Sequence, residues 1–225
     1  TGPGQPTQSN VPPLPAKPQR RGFPVKTRTI ITGIVIALLL LAGGFWGWRS
    51  MGSEARVQQK LDLAVKYLSE NKFEEAILAY HEAIKIEPGK VKAYQGLARV
   101  YTLQGKYGDA KATYDKGLAA VEQDKKQTLQ MGLAGMYIDQ GQLASAEKSF
   151  QEIKNNNKAC LEAYWGLAMV YQKQGDNNKA EAMLRQAAEQ NSNEYRAYNT
   201  LALFLKQNNK ADEAFNNLVK SLSLE

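Results

Sequence analysis

The chain has 225 residues, 43% of them hydrophobic and 23% charged, with 29 Lys and Arg set against 22 Asp and Glu. That balance excludes a disordered polymer, since there is enough apolar material to offset the entropy of ordering most of the length. Five basic residues (Lys17, Arg20, Arg21, Lys26 and Arg28) and no acidic one lie in the first 28 positions, and beyond them 24 basic residues face 22 acidic ones. The folded part is therefore close to neutral, which argues against a nucleic-acid-binding face.

Residues 1–28 are rich in Pro, Gly, Gln and Thr. With almost nothing to bury, they are expected to form a disordered, partly polyproline tail. The first residue is Thr1 rather than methionine, from which a fragment or a processed product is expected. Thr29 to Trp48 carries no charge and includes Ile30, Ile31, Ile34, Val35, Ile36 and the run Leu38 to Leu41. As a helix it would be roughly 30 Å long, which matches the hydrocarbon core of a bilayer. Phe45, Trp46 and Trp48 then fall at an interface, where amphipathic rings settle. A cleaved signal peptide is the alternative, since Ala42, Gly43 and Gly44 are small. The long Pro-rich leader, the lack of an A-x-A site and the tryptophans favour a retained single span. After it come only Arg49 and Arg56, with Glu54 between them. The excess of positive charge before the span places the N-terminus in the cytoplasm and the C-terminal part outside. Residues 49–56 read as a linker.

From Val57 the sequence repeats. Leu63-Ala64, Leu97-Ala98, Leu133-Ala134, Leu167-Ala168 and Leu201-Ala202 step by 34, 36, 34 and 34 residues, and Ala76, Ala110, Ala146, Ala180 and Ala214 follow the same steps. Tyr67, Tyr101, Tyr137, Tyr171 and Leu205 come three residues after the first alanine, and Tyr80, Tyr114, Phe150, Leu184 and Leu218 four after the second. Such spacings describe two helices packed at close range, with small residues at the crossing and large ones a turn away. Between the helices stand Asn71, Gly105, Gly141, Gly175 and Asn209, residue types that accept the left-handed conformation ending a helix. Pro88 closes the first copy, and a two-residue insertion near Asp124 to Lys126 accounts for the step of 36. Gly117, Ile153 and Ser221 vary at a usually small position.

A period of 34 with this pattern resembles the tetratricopeptide repeat family, over residues 57–225 in five copies: 57–90, 91–126, 127–160, 161–194 and 195–225. The resemblance implies an all-α, right-handed superhelical array of antiparallel hairpins following the membrane span. It also implies a concave groove lined by the first helix of each hairpin, which takes up a protein or peptide segment. Carried over position by position, the groove residues are Leu61 and Val65; Lys92, Gln95 and Arg99; Met131; Trp165 and Met169; and Asn199, Leu203 and Lys206. The Lys and Asn by which some family members clamp a carboxylate are replaced here by Leu61 and Val65. The groove is instead expected to favour an apolar or aromatic segment, with Lys92 and Arg99 drawing acidic flanks. Trp165 and Met169 are open to a second reading, in which they complete packing between neighbouring hairpins. No polar capping helix follows the fifth copy, which leaves Leu218, Leu222 and Leu224 partly exposed and suggests self-association at that end.

No catalytic constellation is present. His81 is the sole histidine and Cys160 the sole cysteine, so no metal cluster or internal disulfide is expected, and the scattered carboxylates read as solvated helix surface. The expectation is a bacterial, membrane-anchored interaction scaffold without cofactor or enzymatic activity. The alternative is the external sensor half of a receptor whose cytoplasmic zinc ribbon or kinase precedes Thr1.

Overall fold

A computed structural model describes residues 52–225, and among these there is no strand. The expected tail and membrane span lie outside the described residues. Within them, no helix is long and apolar enough to cross a membrane. Helix α1 occupies 52–69. It is followed by α2 (Phe73–Ile86), α3 (Val91–Leu103), α4 (Tyr107–Ala120), a 3₁₀ turn (Gln123–Lys125), α5 (Lys126–Asp139) and α6 (Leu143–Asn156). Then come α7 (Leu161–Lys173), α8 (Asn177–Gln190), α9 (Tyr195–Gln207) and α10 (Ala211–Leu222). Residues 52–56, expected as linker, are already helical. Arg56 donates to the Gly52 carbonyl at 3.2 Å, within that first turn.

The five hairpin turns are built alike. Asn71, Gly105, Gly141, Gly175 and Asn209 have φ of 57°, 71°, 78°, 81° and 61°. In the first turn Lys72 N–H donates to the Tyr67 carbonyl at 2.9 Å, and Asn71 N–H to Leu68 at 3.1 Å. The same pair of bonds recurs in the other four hairpins, from Lys106 to Tyr101 and from Lys210 to Leu205 for example. This double closure satisfies the last carbonyls of each first helix and requires the left-handed residue at its centre. The extra residues of the longer step form the 3₁₀ turn between α4 and α5.

The core is a chain of four clusters, each joining one hairpin to the next, as expected of an array in which a repeat touches only its neighbours. The alanines at the helix crossings are buried, with Ala64, Ala98 and Ala134 fully enclosed. Phenolic hydroxyls pin the connections between hairpins: Tyr94 donates to the Pro88 carbonyl at 2.9 Å and Tyr164 to Lys158 at 3.0 Å.

One sequence irregularity is matched by compensation in the following repeat. At Gly117 an added Cβ would lie 2.8 Å from the Tyr94 ring and 2.9 Å from Leu129 Cδ1, so the missing side chain is filled by Leu129, which is fully buried. The other junctions place alanine where Leu129 stands, at Ala93, Ala163 and Ala197, and the large Ile153 shares its cluster with small Ala163. At the Gly117 junction the lost volume is made up across the helix pair rather than position by position.

The last hairpin is held by charge as well as packing. Glu181 on α8 accepts from Lys210 and Arg185, each at 2.8 Å, and Arg185 also pairs with Glu213 of α10. Burial pulls the Glu181 carboxyl upward, but the hydrogen bonds and charges of Lys210 and Arg185 outweigh it and hold it below its ordinary value.

Candidate functional site

Along the face formed by the first helices, two clefts open between neighbouring repeats. One lies between α3 and α5, about 370 Å³ in volume, with Gln95, Arg99, Thr102 and Asp139 around it and Tyr114 of α4 at its floor. The other lies between α7 and α9, about 290 Å³, walled by Trp165, Met169 and Leu203 with Leu184 of α8 beneath. Gln172, Thr200 and Gln207 complete its rim.

The floors differ for a reason visible in packing. Gly96, Gly132 and Gly166 of α3, α5 and α7 each lie against an aromatic ring of the preceding hairpin, respectively Tyr80, Tyr114 and Phe150. At the last junction Thr200 replaces the glycine and Leu184 the ring. Under Trp165 and Met169 the floor is therefore aliphatic, where the other junctions carry an aromatic ring. Loss of the aromatic in copy four is thus coupled to loss of the facing glycine.

The expected groove residues separate into groups. Gln95 and Arg99 meet at the first cleft, and Trp165, Met169 and Leu203 at the second. Val65, Met169 and Leu203 are 57%, 49% and 52% exposed. Lys92 and Lys206 are exposed, while Met131 and Asn199 are half-buried, Met131 packing on the cluster between α5 and α7. Leu61 is a correction: it is buried with Val57, Ala64 and Leu97 and is no groove residue. Its register borders groove and core, and an apolar side chain there gains about 2 kcal/mol by turning inward. Thr102, Leu103, Asp139, Gln172 and Gln207 line the clefts but were not expected. Thr102, Leu103, Gln172 and Gln207 follow chosen positions by one helical turn, a signal that i+3 and i+4 spacing on the same face could have supplied, whereas Asp139 lies two turns beyond Met131.

Trp165 both packs between hairpins and faces a cleft. Its ring packs on the cluster joining α7 to α9 and also walls the cleft, while its buried Nε1 has no hydrogen-bond partner. Arg196 stacks over the ring at 5.8 Å from the centroid and is itself paired to Glu194 and Glu162.

At the first cleft, burial pushes the Tyr114 hydroxyl from 10.0 up to about 12, with the Asp139 carboxylate adding to the rise and Arg99 opposing it. Below pH 10 the phenol is neutral in both folded and unfolded chains. Above it the unfolded chain gives up the proton first, so this contribution is lost as pH rises toward the folded value. Tyr114 alone should therefore cost about 1.4 kcal/mol at pH 11 and about 2 kcal/mol at pH 12. The check is urea denaturation at pH 8 and pH 11, where Tyr114→Phe should recover that part of the loss; identical pH sensitivity in the variant contradicts the assignment.

Elsewhere, His81 is exposed beside a smaller cleft formed by α2, α3 and α4. Cys160 is 4% exposed, accepts from Gln127 Nε2 at 3.3 Å, and has its thiol pushed up by burial. Among the described residues no group of acidic, His and Cys side chains is arranged to hold a metal. On α10, Phe215, Leu218, Val219 and Leu222 make an exposed apolar face, 66%, 37%, 49% and 70% accessible.

Models of the tetratricopeptide repeat match residues 67–130, 104–160 and 161–194. A protein characterised as pilF of Pseudomonas aeruginosa has the same fold at a TM-score of 0.55 and 17% identity, over 77% of this chain and 78% of that one. A thermophilic repeat protein of Thermus thermophilus follows at 0.53 and 22%, over 75% and 91%. One from Parabacteroides merdae gives 0.53 and 19%, over 75% and 65%. A human protein named Protein O-mannosyl-transferase TMTC1 is 29% identical over 113 residues, half of this chain but only 12% of that protein's length. The repeated Leu-Ala pairs, the five left-handed turns and matches that together run from residue 67 to 194 lead to one assignment: the chain belongs to the tetratricopeptide repeat family.

Proposed function

We propose that the protein is a non-catalytic, membrane-anchored interaction scaffold whose first-helix face captures a segment of another protein. The observation that carries this reading is the apolar cleft between α7 and α9, where Met169 and Leu203 stand half-exposed around a hollow floored by Leu184. Keeping large apolar side chains in water is unfavourable, and a cleft of this composition is a surface that gains by being covered. Anchoring rests on the uncharged stretch Thr29 to Trp48, and the charge asymmetry around it supports repeats held outside the cytoplasm of a bacterium.

A photo-crosslinking amino acid placed at Leu203, in the full chain expressed in its native membranes, tests the capture. Specific adducts are expected there, absent when the label sits at Leu78, which is 62% exposed on α2, and lost on adding Met169→Asp. Equal adducts at both positions, or adducts indifferent to Met169→Asp, would remove the cleft as the binding surface. In the same membranes the chain should resist alkaline extraction, and deletion of 29–48 should release it.

A further inference from the structure

The two clefts are chemically unlike. The one between α7 and α9 has no charged side chain in its lining, whereas that between α3 and α5 is the more polar, with both Arg99 and Asp139 in its lining. Lys92, Arg99, Lys173 and Lys206 occupy the first helices and make no ion pair among the described residues. By register, Lys173 stands where Leu103 and Asp139 line the first cleft, and Lys206 where Thr102 and Gln172 line the two clefts. Against these cations the lining carries one carboxylate, Asp139, and Glu162 at the face's edge is already engaged by Arg196. In a folded part that is nearly neutral, this face holds a local excess of unpaired positive charge.

The clefts are also a fixed distance apart. Helix α3 packs on α5 and α5 on α7, so the polar and apolar clefts are separated by two helix-to-helix steps. At about 8–10 Å for each step the separation is roughly 20 Å, which an extended chain rising about 3.3 Å per residue covers in about six residues.

We infer that the occupant is an extended acidic segment bound at two points, and this rests on the capture reading above. A bulky apolar side chain enters the hollow between Trp165, Met169 and Leu203. A carboxylate about six residues away along the ligand meets Arg99 at the polar cleft. The apolar point supplies most of the attraction, and the charged point sets direction and register, since a ligand bound backwards would leave its carboxylate beyond α9.

The test uses the full 225-residue chain and fluorescein-labelled peptides of about 14 residues built from Gly, Ser and Asn. Each carries one Phe and one Glu, at separations from about two to about ten residues and in both orders. Fluorescence anisotropy should show affinity peaking near a separation of about six in one order only, roughly 10-fold above a separation of about two. Arg99→Gln, at an exposed side chain, should erase the gain from Glu while leaving the Phe-only peptide unaffected, with the circular dichroism spectrum and Tm unchanged. Affinity independent of separation, or a Glu-dependent gain that survives Arg99→Gln, overturns the two-point inference while leaving single-point capture intact. A Phe-containing peptide that binds no better than the bare Gly-Ser-Asn peptide overturns both.

Discussion

Gly166→Ala is expected to lower stability by about 2 kcal/mol, while Gly135→Ala is expected to raise it by about 0.5–1 kcal/mol. Both glycines lie inside a helix and both gain the same methyl group. In isolation each exchange favours folding, because glycine loses more backbone freedom than alanine on entering a helix. The surroundings decide the sign. A Cβ on Gly166 would collide with the Phe150 ring, which is 3% exposed and wedged between α6 and α7, whereas a Cβ on Gly135 meets nothing within 4 Å. Phe150→Leu should rescue Gly166→Ala in part, since that pair approaches the Leu184 and Thr200 arrangement the chain already uses at its last junction. Urea midpoints followed by circular dichroism measure all three; a Gly166→Ala chain as stable as the original would show that the ring can move aside.

The second large effect concerns the junction between α4 and α5. Leu129→Ala is expected to cost about 3 kcal/mol, because the leucine is fully buried and fills the space left by Gly117. Gly117→Ala alone should also destabilise, since its Cβ would press on the Tyr94 ring at 2.8 Å and on Leu129 at 2.9 Å. Combined, the two changes should cost less than their sum by about 1 kcal/mol or more, since they recreate the alanine-to-alanine pairing of Ala83 with Ala93 and Ala187 with Ala197. The double-mutant cycle reads this coupling directly, and strict additivity would mean that Leu129 and Gly117 do not share one volume.

These expectations show where local reading ends. Five hairpins, their turns and their alternation of small and large residues were legible because each depends on residues a few positions apart. A left-handed residue must be Gly or Asn-like, an alanine at a helix crossing must be small, and a period of 34 survives one insertion. The irregular residue Gly117 carried no such meaning until the structure set Leu129 against it.

The candidate site was only half legible. Family register placed Gln95, Arg99, Trp165, Met169 and Leu203 on the first helices of their hairpins, and the structure gathers them into two clefts. It could not show that Leu61 turns inward, since at a border position the outcome rests on which neighbours offer contact. Nor could it show that Leu184 and Thr200 join Trp165, Met169 and Leu203 in lining an apolar cleft. By itself, the sequence determined the number, order and turns of the hairpins, because backbone preference and small-residue spacing act over one or two helical turns. Tertiary structure alone decided which side chains line a cleft and which fill the core, because that depends on volumes from helices about thirty residues apart meeting at one junction.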